Sequence, residues 1–124
     1  MPFSTVDVLL VHCDSTFIAA LTDVLRKHTF SVFAVGSAEE ALSSVAQGCS
    51  PRLVILDVTH PKLDPRRLLA DLRREAACAG TRFVILTKAS GDAAVADLQV
   101  DGALLKPLEV RELLDVLRRH CGLV

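Results

Sequence analysis

Three side chains of different chemistry each follow a short apolar run: the carboxylate of Asp57, the hydroxyl of Thr87 and the ammonium group of Lys106. Groups of these three kinds could together handle a phosphoryl group. A carboxylate can act as a nucleophile toward phosphorus. A lysine offsets the charge that develops during transfer, and a hydroxyl donates a hydrogen bond to a phosphate oxygen. The three residues are far apart in sequence, so this chemistry requires a fold that brings them together.

Short apolar runs alternate with helical patterns along the whole chain. Two of the helix starts carry specific signals: Ser37 with Glu40 forms a capping box, and Asp64 is followed by Pro65. The apolar runs predict strands at residues 8–11, 30–35, 53–56, 83–86 and 103–105. The helical patterns predict helices at about 17–28, from 37, from 64, from about 90 for a short distance, and around 110–117.

Alternation of this kind predicts a (βα)5 fold, in which a doubly wound parallel sheet lies between two layers of helices. The carboxyl ends of parallel strands meet at one edge of the sheet, where ligands bind. His12 and Cys13 follow the first predicted strand, and Asp57, Thr87 and Lys106 follow the third, fourth and fifth. We therefore expect these side chains to converge on one site.

The size and charge of the chain limit its class. Residues 1–124 are enough for one ordinary domain, and the 51% hydrophobic content is ample for a core. The 14 basic residues are nearly balanced by 15 acidic ones, for a net charge of −1. Because nucleic acids and anionic membranes attract basic surfaces, we expect neither as a direct partner.

The four cysteines, Cys13, Cys49, Cys78 and Cys121, form no CxxC pair, and their wide spacing is typical of neither a zinc site nor a disulfide framework. A reducing compartment is the simplest interpretation. No secretory leader is visible, and no apolar run approaches the ~20 residues that span a bilayer. We expect a cytoplasmic protein, and residues 1–124 contain no output domain after the last predicted helix.

The sequence resembles the receiver domains of two-component response regulators over essentially its whole length. Asp57 is followed four residues later by Pro61, Thr87 stands at the family's Ser/Thr switch position, and Lys106 precedes Pro107. The resemblance implies a flavodoxin-like sheet of order 2-1-3-4-5. It also implies that Asp57 is the phosphoacceptor, that Thr87 and Lys106 bind the phosphate, and that the Lys106–Pro107 peptide bond is cis.

Two departures from the family pattern affect activation. Receivers carry two acidic residues after the first strand that hold Mg²⁺, and here these positions are His12 and Cys13. Because Mg²⁺ requires hard oxygen ligands, we expect Asp57 and the backbone carbonyl of Thr59 to bind it only weakly. The aromatic switch residue of the family aligns with Ala103, whose methyl group cannot report a change of state.

Three hypotheses for function remain open. The first is a degenerate receiver in a phosphorelay, with Asp57 as an inefficient phosphoacceptor. Its partner would be a sensor histidine kinase, a phosphotransfer protein or a downstream protein, and it would act as a monomer or a homodimer. The second is a pseudo-receiver that docks on proteins without phosphorylation, and the third is a small phosphatase or a thiol activity centred on Cys13.

The enzyme hypothesis has the least support from motifs. The chain lacks the GxxxxGK[ST] and GxGxxG phosphate loops, and the second aspartate of dehalogenase-type phosphatases is absent after Asp57. We expect a signalling domain that is not an enzyme. For the site residues, the plain alternative is that Asp57 is a solvated carboxylate at a strand end and Lys106 its structural partner.

Overall fold

A computed structural model describes residues 5–12, 15–59, 62–88, 99–106 and 108–121. Cys13, the short helix predicted near residue 90 and the peptide bond between Lys106 and Pro107 lie outside these residues. In the part of the chain that is described, no helix is long and apolar enough to cross a membrane.

Five strands among the described residues form one sheet. They are β1 Thr5–Val11, β2 Val32–Val35, β3 Ser50–Asp57, β4 Arg82–Thr87 and β5 Gly102–Leu105. Every neighbouring pair is parallel, and the order is β2-β1-β3-β4-β5. This order confirms the predicted fold class and strand order. The order switches between β1 and β3, so the carboxyl ends of these two strands flank the expected binding crevice.

All five strands differ from the predicted ranges at one or both ends, and two of these differences have a clear physical reason. The predicted second strand included Phe30, but the amide of Phe30 donates to the Leu25 carbonyl at 3.0 Å and so closes the end of the preceding helix. The third strand begins three residues before the apolar run, because Ser50 and Pro51 pair in register with Thr5 and Val6. Apolar runs therefore locate the strand centres better than the strand ends.

Four α-helices and one 3₁₀ helix lie within the described residues: α1 Ser15–Lys27, α2 Ala38–Ala46, α3 Pro65–Arg73, the 3₁₀ helix Ala76–Cys78 and α4 Val110–Cys121. Both predicted caps form. Ser37 Oγ accepts from the Glu40 amide at 3.1 Å, and Asp64 Oδ1 accepts from the Arg67 amide at 3.2 Å. A side-chain acceptor at these positions satisfies amides that the first helical turn leaves unpaired.

The sheet is covered on both faces, as expected of a parallel sheet. Alternate residues of β1 point to opposite sides, so that Val8 and Leu10 pack toward α1 and α4, whereas Leu9 and Val11 pack toward α2 and α3. All four side chains are fully buried. The two apolar layers hold the central strands in place, and with them the residues at the strand ends.

Candidate functional site

Asp57 lies at the carboxyl end of β3, in the middle of the sheet. Its register partner on β4 is Leu86, and the amide of the next residue, Val58, donates to the Leu86 carbonyl at 3.1 Å. Only 1% of Asp57 is exposed. The alternative of a solvated carboxylate is therefore wrong, and a charged group this deeply buried needs compensating partners.

Thr59 supplies the partners of one carboxylate oxygen. Its amide and its hydroxyl both donate to Asp57 Oδ1, at 2.9 Å and 2.6 Å. An aspartate that accepts from the amide two residues ahead forms an Asx-turn, a local arrangement that the Asp-x-Thr spacing favours. The turn fixes the carboxylate orientation at the start of the loop after β3.

Lys106 contacts the other carboxylate oxygen from the end of β5. Its Nζ lies 3.1 Å from Asp57 Oδ2 and donates to Thr59 Oγ1 at 2.8 Å. The Lys106 amide donates to the Thr87 carbonyl at 2.8 Å, which continues the pairing of β4 with β5. The predicted approach of Lys106 to Asp57 is thus confirmed, since the strand ends carry both residues to the same edge.

His12 is the third residue that contacts the Asp57 carboxylate. Its Nε2 lies 2.9 Å from Asp57 Oδ2, and the two side chains are 4% and 2% exposed. The Phe17 ring stacks on the imidazole, with centroids 4.3 Å apart and an interplanar angle of 22°. Among the described residues, each oxygen of Asp57 therefore has two contacts with protein groups.

The surroundings of Asp57 favour its charged form. Burial alone would raise the pKa of Asp57, but the hydrogen bonds from Thr59 and the contact with Lys106 outweigh it and hold the pKa below its ordinary value. The carboxylate is consequently ionised at neutral pH. An ionised carboxylate is the form that can attack an electrophilic phosphorus.

Thr87 ends β4 next to Leu86 and is 2% exposed. Its Oγ1 makes no hydrogen bond to any residue that the structure describes. A buried hydroxyl without a partner costs about 1–3 kcal/mol, so a ligand oxygen that accepts from it would recover this loss. Ala103 lies on β5, exposed and in register with Ile85, and only a methyl group stands at this position.

The described residues do not fit a Mg²⁺ site. They include no group of three or more His, Cys, Asp or Glu side chains that could hold a metal ion. The nitrogen of His12, a poor ligand for Mg²⁺, lies 2.9 Å from Asp57 Oδ2. Cys13, which stands at the second position of the missing acidic pair, lies outside the described residues.

Two features of the site were not predicted. The sequence predicts His12 at the carboxyl edge of the sheet, where it replaces an acidic ligand for Mg²⁺. Nothing in the sequence indicates that its side chain contacts Asp57. Thr59 was expected to contribute its carbonyl, whereas the structure shows its amide and hydroxyl bonded to Asp57. The Asp-x-Thr spacing is a local signal that could have revealed the second of these.

Replacing Thr59 by valine is expected to lower the free energy of unfolding by about 1–3 kcal/mol, because a buried carboxylate loses a hydrogen-bond donor and Lys106 loses an acceptor. Urea denaturation at neutral pH measures this. The matched control is Thr22→Val. Thr22 has a buried hydroxyl with no partner among the described residues, so its removal should not lower the free energy of unfolding. Equal effects of the two substitutions would contradict the bonding described for Thr59.

Comparisons with known proteins agree on one family. The family described as "Response regulator receiver domain" matches residues 8–118. The response regulator protein FleR of Pseudomonas aeruginosa is 39% identical, over 91% of this chain. The match covers 24% of FleR, so the chain spans about a quarter of the length of this relative.

Solved structures show the same fold. The receiver domain of a Pseudomonas aeruginosa sensor histidine kinase, with a magnesium ion coordinated in its active-site cleft, superposes with a TM-score of 0.83 and 20% identity. That match covers 95% of this chain and 98% of the other. The chemotaxis response regulator CheY4 of Vibrio cholerae gives a TM-score of 0.79 and 22% identity, with 94% and 98% covered. At these identities the likeness concerns the fold alone.

Proposed function

Because this chain belongs to the response regulator receiver domain family, we propose that it accepts a phosphoryl group on Asp57 and signals through protein contacts. The observation that supports this most is the set of groups around one buried carboxylate. Asp57 is ionised, Lys106 lies 3.1 Å from it, and the hydroxyl of Thr87, at the end of the adjacent strand, has no partner in the described part of the chain.

The proposed reaction uses these groups in distinct roles. A carboxylate oxygen of Asp57 forms a bond to phosphorus while the bond to the donor's leaving group breaks, giving an acyl phosphate. Lys106 balances the charge on the phosphoryl oxygens, and the Thr87 hydroxyl donates to one of them. Asp57 must first exchange one of its contacts with the protein for the phosphoryl group, so the transfer should be slow.

The proposed partners are those of a two-component pathway. A sensor histidine kinase or a phosphotransfer protein would supply the phosphoryl group, and a further protein would bind the domain afterwards. The domain carries the signal and does not turn over a substrate.

Cys49 and Cys78 are buried free thiols, which supports a reducing, cytoplasmic location. The described residues include no cluster of side chains that could hold Mg²⁺, and we propose that the chain binds this ion only weakly.

The test is labelling with acetyl phosphate, followed by the mass of the intact protein. We expect a slowly forming species that is heavier by one phosphoryl group, and its absence in Asp57→Asn. The control is Asp64→Asn, which removes another carboxylate of the same loop region. Labelling that persists in Asp57→Asn would show that Asp57 is not the acceptor.

A second function is favoured by one specific observation, the 2.9 Å contact between His12 Nε2 and Asp57 Oδ2. If the partners of Asp57 hold it too firmly for reaction, the chain is a pseudo-receiver that docks without phosphorylation. Complete absence of labelling by acetyl phosphate, together with binding to a partner protein that Asp57→Asn leaves unchanged, would favour this function. Cys13→Ala tests the remaining thiol hypothesis.

A further inference from the structure

The contact between His12 and Asp57 has a definite place in the fold. His12 directly follows β1, and its amide donates to the Val35 carbonyl at 3.0 Å, so its backbone is fixed by the sheet. This is the first of the two positions where the family carries acidic metal ligands. In place of an acidic side chain, this position therefore sets an imidazole nitrogen 2.9 Å from Asp57 Oδ2.

The imidazole is held rigidly in that position. Only 3% of His12 is exposed, and Phe17, from the first turn of α1, stacks on its ring. A ring packed in this way has few other orientations available. His12 Nε2 presents an N–H to the carboxylate oxygen when the ring is protonated, and also when the ring is neutral with its hydrogen on Nε2. Together with Lys106, His12 gives Asp57 Oδ2 two nitrogen neighbours, at 2.9 Å and 3.1 Å.

We propose that His12 occupies the position of the divalent cation beside Asp57, so that this receiver works without divalent metal. A Mg²⁺ ion bound to Asp57 Oδ2 at ~2.0–2.1 Å would have to displace the imidazole, which is a poor ligand for it. The inference deepens the proposed function, because it concerns how the same site is held and used. Its effect on metal binding can be measured whether or not Asp57 is phosphorylated.

The main experiment compares melting temperatures in millimolar Mg²⁺ and in EDTA. We expect Mg²⁺ to change the melting temperature of the unmodified chain by less than about 1 °C. His12→Asp, alone or with Cys13→Asp, removes the imidazole beside Asp57 and adds a carboxylate. In these variants Mg²⁺ should raise the melting temperature by about 5–10 °C. His28→Asp, the same change at an exposed residue, should give no response. A large response of the unmodified chain, or no response of a folded His12→Asp variant, would overturn the proposal.

Two further measurements do not depend on the folding of a variant. Mn²⁺ added to the unmodified chain should leave the amide signals of Val58 and Thr59 no broader than those of distant residues, and selective broadening there would overturn the proposal. Labelling of the unmodified chain by acetyl phosphate should proceed equally in EDTA and in Mg²⁺, and a requirement for Mg²⁺ would also overturn it. No labelling in either condition would count against the proposed function alone, since the melting and Mn²⁺ experiments still decide the role of His12.

Discussion

Replacement of Lys106 by methionine is expected to slow phosphoryl transfer to Asp57 by about 100-fold, because removing one preorganised group that stabilises developing charge typically costs ~10²–10³ in rate. The ammonium group lies 3.1 Å from Asp57 Oδ2, and the Lys106 backbone is held by the hydrogen bond from its amide to the Thr87 carbonyl at the end of β4. Methionine keeps a long apolar stem and removes only the charge and the donors. The initial rate of labelling by acetyl phosphate, followed by intact mass, measures the effect.

The matched control for this prediction is Lys27→Met. Lys27 is exposed at the end of α1, where it pairs with Asp23 at 3.1 Å. Exposed pairs of this kind contribute little to stability, so the rate and the fold should both be unchanged. A Lys106→Met variant that labels at the rate of the unmodified chain would show that the lysine has only a structural role.

Replacement of Leu86 by alanine is expected to lower the free energy of unfolding by about 2–5 kcal/mol, the usual cost of a cavity in a packed core. Leu86 is fully buried in the apolar layer that includes α1 and α4. It directly precedes Thr87 in the sequence, and it pairs in register with Asp57 on β3. The substitution should therefore also disturb the site. Urea denaturation measures the stability.

The control is Leu105→Ala, the same change on the edge strand. Leu105 is 42% exposed, so its truncation should change stability by about 0.5 kcal/mol or less. Similar losses for the two variants would mean that the central strands are less tightly packed than the structure shows.

The fold could be predicted because its signals are local and repeated. Each apolar run marks the centre of a buried strand, and the caps at Ser37 and Asp64 mark helix starts within a residue or two. The ends of strands were less predictable, since they depend on pairing with a neighbour. Pro51 belongs to β3 only because Val6 lies beside it in register.

The site was predictable to the extent that strand ends determine it. Asp57 and Lys106 meet because β3 and β5 run parallel and finish at the same edge of the sheet. The contact of His12 with Asp57 was not predictable in this way. It depends on the orientation of an imidazole that Phe17 fixes from another element, and no sequence spacing encodes that packing.

The most direct test of the central claim is to locate the phosphoryl group itself. Borohydride reduces an acyl phosphate on aspartate to homoserine, which peptide mass mapping can assign to one position. After treatment with acetyl phosphate and then borohydride, we predict homoserine at position 57 and unchanged carboxylates elsewhere. Reduction at another aspartate, or none at all in protein treated to completion, would contradict the claim that this receiver takes its phosphoryl group on Asp57.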